Sequence, residues 1–154
     1  MVHPHGSAHS VRLTRSDIRL RRVRLFATAV VILLVDQLTK IAAFKTIPMD
    51  TPHEVIPGVL WWTPRLNPGA AFSFLSSHAY GNVLLGVVSA GLAGLLYWYA
   101  EHHHRSAPGW AFGLVIGGAL GNLLDRIVGT EAGGERIHGV RDFIDVGWWP
   151  TFNI

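Results

Sequence analysis

The sequence has no cysteine, which excludes disulfides, thiolate metal sites and a cysteine nucleophile. It is also poor in charge: 15% of its 154 residues are charged and 49% are apolar, where a soluble domain carries about 25% charged. No Gly-x-Ser-x-Gly elbow is present, and no phosphate-cradling glycine loop. The histidines of "EHHH" (101–104) lack the i, i+4 pairing of a helical zinc site. What is left is the composition of a membrane protein, long enough for one domain.

The few charges are unevenly placed. The net charge is +3, and six of the eleven arginines lie between Arg12 and Arg24, directly before a long apolar run. That is the flank the positive-inside rule assigns to the cytoplasm. The basic stretch "VRLTRSDIRLRRVRLF" holds only Phe26 as a stacking aromatic, so nucleic acid is not an expected partner. Membrane lipid is.

Three runs can cross a bilayer. Leu25–Phe44 is twenty residues long, about 30 Å as a helix, and exceeds the h-region of a signal peptide. Tyr80–Ala100 ends in the aromatic cluster Tyr97–Tyr99, as at a membrane interface. Trp110–Val128 carries Gly113, Gly117 and Gly121 at every fourth position, a bare face that lets another helix approach closely. With the arginines inside, residues 45–79 and 129–154 lie outside. The outer segment 59–75 combines strand-favouring aromatics with the turn signal Pro68–Gly69. The chain therefore reads as an all-α polytopic membrane protein with a short β-rich extracytoplasmic platform between its first two helices.

Ionisable residues inside spans cost about 2.5–3.5 kcal/mol each at mid-membrane, so they face protein, water or a ligand. Asp36 and Lys40 are one turn apart on one helix face, either as an ion pair orienting the span or in contact with substrate. Asn122, Asp125 and Arg126 form a polar face at the outer end of the third span; a helix end can use such residues to meet water, but beside a close-packing glycine face they are also candidates for a site, Asn122 and Arg126 ahead of Asp125. Asp142 and Asp145 flank Phe143–Ile144. In an exposed loop they and Arg141 would be ordinary surface charge, but the flanking "VGWWPTF" puts them at the membrane interface.

In order and spacing, "DQLTK" (36–40), "NPGAAFSFL" (67–75), "GGALGNLLDR" (117–126), "VRDFI" (140–144) and the terminal "FN" (152–153) resemble lipoprotein signal peptidase, or signal peptidase II, over Leu25–Ile154. The resemblance implies a four-helix aspartyl endopeptidase of the bacterial inner membrane. Such an enzyme removes the signal peptide of diacylglyceryl-modified prolipoproteins before the lipidated cysteine. It implies Asp142 as one catalytic aspartate. The second would fall two residues beyond Ile154, with the fourth span after it, so the expectation is an incomplete peptidase domain (25–154), inactive alone, behind a mobile basic tail (1–24). The implied substrate contacts are Asn67, Gly69, Asn122 and Arg126, with Ala70 and Ala71 leaving room. Asp36, Lys40, Asp125 and Asn153 would support the site. No metal or organic cofactor is implied; the cyclic peptide globomycin is an expected inhibitor and a monomer the expected state. Residues 129–139 form a longer, more polar link than the family needs. Two other functions fit parts of the sequence: a non-catalytic short homologue that binds lipoprotein precursors, and a small ion or proton carrier using the buried ionisable groups.

Overall fold

The computed structural model describes residues 14–69, 80–103 and 107–154. Three helices dominate it: α1 (Arg15–Thr46), α2 (Gly81–His102) and α3 (Gly109–Val128). Each is long and apolar enough to cross a membrane. Their outward apolar residues, such as Val31, Leu38, Val83, Leu95 and Ile127, are more than half exposed, as lipid-facing positions are.

α1 begins ten residues before its apolar run, so residues 15–24 are helix and not the mobile tail expected there. The cause is a capping box. The Thr14 hydroxyl accepts from the Asp17 backbone N–H at 3.2 Å, and Asp17 Oδ2 accepts from the Thr14 N–H at 2.9 Å. Arginine is also a good helix former. At 1.5 Å per residue, 32 residues make about 48 Å of helix, well beyond the hydrocarbon layer. The extension is pinned to the opposite end of the α2–α3 pair. Arg21 donates to the Ala100 carbonyl and, at 2.9 Å, to that of Ala107, while Arg22 pairs with Glu101.

The glycine face of α3 finds its neighbour in α1. A Cβ on Gly113 would lie 2.5 Å from the Leu25 carbonyl oxygen, and one on Gly117 would lie 2.7 Å from that of Ala29. Gly109 and Gly121 extend the same line, against Arg21 and the Asp36 carboxylate. Close approach leaves a small core of Leu25, Ala29, Ala93, Ala100, Phe112 and Ile116.

Outside the helices lies a three-stranded antiparallel sheet, in the order β1 (His53–Ile56), β2 (Leu60–Asn67), β5 (Val140–Asp145). The platform is therefore not confined to the segment between the first two helices. Its third strand comes from beyond α3, where a loop was expected. The link before it is a hairpin, β3 (Thr130–Ala132) and β4 (Glu135–Ile137), turning on Gly133 and Gly134, both at positive φ.

Candidate active site

β2 and β5 pair from Asn67↔Val140 through Arg65↔Asp142 and again at Trp62↔Ile144. Between the two stretches β2 carries one extra residue, a bulge at Thr63–Pro64. Proline has no N–H for the ladder and belongs at such a break. Thr63 and Pro64 are both buried. Phe152 bridges to the other edge of β5: its carbonyl accepts from the N–H groups of Phe143 and Ile144 at 2.9 and 2.8 Å, and its own N–H donates to Ile144 at 2.9 Å.

This arrangement buries Asp142, 4% exposed, between two amides. Asn67 Nδ2 donates to Oδ2 at 2.8 Å from one side, and Asn153 Nδ2 donates to Oδ1 at 2.5 Å from the other. Asn67 is held in turn by its own loop, its Oδ1 accepting from the Gly69 N–H at 2.9 Å. Gly69 has φ 120°, and a Cβ there would lie 2.6 Å from Leu85 Cδ1, so the turn needs glycine. Burial raises the Asp142 carboxyl above its ordinary value, against the opposing pull of the Asn67 and Asn153 donors. The group is set to hold a proton longer than a surface aspartate.

Behind the sheet lies a buried charge cluster. Lys40 Nζ is 2.8 Å from Asp36 Oδ1 and 2.9 Å from Asp125 Oδ2, and all three side chains are fully buried. Asn122 Oδ1 accepts from the same ammonium at 3.0 Å. Asp36 and Lys40 thus form the ion pair, and it ties α1 to α3. The polar face expected on α3 divides: Asn122 and Asp125 converge on Lys40, whereas Arg126 lines a groove of about 650 Å³ between α2 and α3. Asn82 and His138 flank Arg126 there, and Val83, Val87 and Leu123 supply apolar wall. Among the described residues the buried Nε of Arg126 has no hydrogen-bond partner.

Two residues of the cluster carried no signal as site residues. Gln37 donates to Asp36 Oδ2 at 3.0 Å and to the Gly121 carbonyl at 3.2 Å. Arg141 is no surface charge but donates to Asp125 Oδ1 from Nε at 3.0 Å and Nη2 at 2.6 Å. Asp145, by contrast, only caps the local turn, accepting from the Gly147 N–H at 2.9 Å. Ala70 and Ala71 lie outside the described residues.

The family model described as signal peptidase (SPase) II matches residues 28–154. The chain belongs to the signal peptidase II family. A lipoprotein signal peptidase of Mycobacterium bovis (strain BCG / Pasteur 1173P2) is 37% identical over 137 residues, covering 87% of this chain and 64% of the relative. One of Rhodococcus jostii (strain RHA1) is 38% identical over 159 residues, covering 98% and 72%. The chain thus spans just under two thirds of the length of the Mycobacterium bovis relative it matches. A solved bacterial membrane enzyme superposes with a TM-score of 0.66 at 27% identity, over 84% of this chain and 80% of that one. Within the signal peptidase II family the chain is a multi-pass membrane protein, its helices packed on small antiparallel sheets.

Proposed function

We propose that this signal peptidase II protein is an aspartyl endopeptidase that removes the signal peptide from diacylglyceryl-modified prolipoproteins, cutting before the lipidated cysteine. One observation carries the reading beyond family membership: a buried carboxylate, Asp142, clasped by the amides of Asn67 and Asn153 where the sheet meets the helix ends.

Peptide hydrolysis by carboxylates takes two of them. Side by side they cannot both ionise, so one keeps a proton. The ionised member takes a proton from water as it attacks the scissile carbonyl. The protonated member donates toward the developing oxyanion, and a proton then reaches the leaving amine. Asp142 is one member. The Phe152 bridge holds the segment that carries Asn153 alongside β5, next to Asp142.

Around the pair, Arg126 offers its guanidinium from the α2–α3 groove to carbonyls of the signal peptide. Asn122, whose side-chain Oδ1 is taken by Lys40, presents its Nδ2 as a second donor. Asn67 and Gly69 line the site; Asp36, Lys40, Asp125 and Asn153 support it. Residues 25–154 form the peptidase domain, which acts as a monomer in the bacterial inner membrane. The arginine-rich end of α1 lies in the cytoplasm, and the sheet and Asp142 lie on the outer side. Globomycin is the expected inhibitor.

The test is cleavage of a diacylglyceryl-modified precursor by the full-length protein in detergent, with and without globomycin. Processing that globomycin blocks and Asp142→Asn abolishes is the expected result. Full processing by the Asp142→Asn variant sinks the assignment.

A further inference from the structure

Arg141 immediately precedes Asp142, and the carboxylate chemistry makes no use of it. Yet it is hydrogen-bonded into the polar cluster through both its backbone and its guanidinium. Asp125 accepts from its backbone N–H at 3.1 Å as well as twice from its guanidinium, so the main chain and side chain of residue 141 are both referenced to α3. Nη2 also donates to Gln37 Oε1 at 2.6 Å, which references the same residue to α1.

Charge explains why an arginine is held there. Asp36 and Asp125 bring two negative charges into a dry site, and Lys40 brings one positive charge. Arg141, its side chain 14% exposed, supplies the second and closes the cluster at neutrality. An unbalanced buried carboxylate is strongly disfavoured, so the cluster draws Arg141 inward.

Geometry explains what this does for Asp142. The β2–β5 ladder is broken by the bulge at Thr63–Pro64, beside Asp142, and β2 itself belongs to the outer platform. Pairing with β2 alone does not set the distance between Asp142 and the α3 residues Asn122 and Arg126. The Arg141 clamp does.

We propose that Arg141 is a positioning residue for peptide cleavage: by closing the Asp36–Lys40–Asp125 cluster it fixes β5, and with it the Asp142 carboxylate, against the outer ends of α1 and α3. The proposal rests on the proteolytic reading of Asp142, and its test separates the two.

Arg141→Gln and Arg141→Lys are compared in the full-length protein, measuring kcat and KM on a lipid-modified precursor. The pH dependence of carbodiimide labelling at Asp142 is read by mass spectrometry in the same proteins. A misplacement of about 1 Å costs on the order of 100-fold, so Arg141→Gln is expected to lose about that much in kcat with KM within about threefold. Arg141→Lys, which keeps the charge and part of the contact, regains at least about tenfold of the loss. The Asp142 labelling profile shifts in the glutamine variant and returns toward the original in the lysine variant. Should Arg141→Gln not fold, Gln37→Ala loosens the clamp without changing charge and shows a smaller kcat loss of about tenfold.

A kcat within threefold of the unsubstituted protein overturns the proposal. So does a loss that lysine leaves unrecovered while Asp142 labelling is unchanged, since that marks a residue needed only for folding. If the unsubstituted protein cleaves nothing and the labelling profile still shifts with Arg141, the proteolytic reading fails and the coupling to Asp142 stands.

Discussion

At the scale of single residues, Asp142 is defined by what touches it: two neutral amide donors, on opposite oxygens, in a buried setting. Because burial raises its carboxyl, the folded chain binds that proton more tightly than the unfolded chain does. The resulting stability is fully present below the ordinary value of 3.8 and is lost as pH rises through the raised one. The melting temperature of the unsubstituted protein should therefore fall relative to that of Asp142→Asn as pH climbs from acid to neutral, measured by thermal unfolding in detergent. Lys40 is the opposite case, a buried cation whose removal takes from Asp36 its ion-pair partner and leaves Asp125 with Arg141. Lys40→Met should destabilise by about 3–5 kcal/mol, read from the same melts. Asp142 and Lys40 were legible in the sequence, one through its motif and one through the cost of charge in a span. Arg141 and Gln37 were not. Arg141 reads as surface charge as long as residues 140–145 are taken for a loop, and only the strand turns its side chain inward.

Among the elements, the seam between α1 and α3 is the most tightly specified. The fourfold spacing of glycine announced a close neighbour, but which helix it was could not be read, because α1 has no matching stripe of small residues. Paired substitutions check the seam. Gly117→Leu drives a side chain into Ala29 and Ile32 and should cost about 1–3 kcal/mol or more. Gly118→Leu, with nothing within 4 Å of its Cβ position, should leave the melt unchanged or raise it. The helix starts ahead of the apolar run for a local reason: hydropathy marks where a span is apolar, whereas the Thr14–Asp17 box sets where the helix begins. The sheet was half legible. β2 shows its aromatics and its turn signal, but β5 depends on a partner about 75 residues away, and periodicity within one segment does not report that.

For the molecule as a whole, three helices of alternating direction place the sheet, the β3–β4 hairpin and Asp142 at one end, and the α1 extension with the α2–α3 turn at the other. The missing cysteines make this testable without background. A single cysteine at Glu135, in the hairpin, should react with a membrane-impermeant maleimide added to intact spheroplasts. One at His102, at the end of α2, should react only after lysis. The reverse pattern inverts the proposed topology. Composition conveyed the membrane class, and the three apolar runs matched the three helices long enough to span among the described residues. The site lay beyond it, since its parts come from α1, β2, α3, β5 and the Phe152–Asn153 segment, and only folding brings them together.

The pairing of β2 with β5 has a consequence for biogenesis. Asn67 and Asp142 are 75 residues apart, and α2 and α3 lie between them. During synthesis the ribosome delivers β2 first. It then stays without its β5 partner while two further helices are made, and only afterwards does that strand arrive. Until then Asn67 has no Asp142 carboxylate to donate to. Order of synthesis thus makes this site one of the last features of the chain to form.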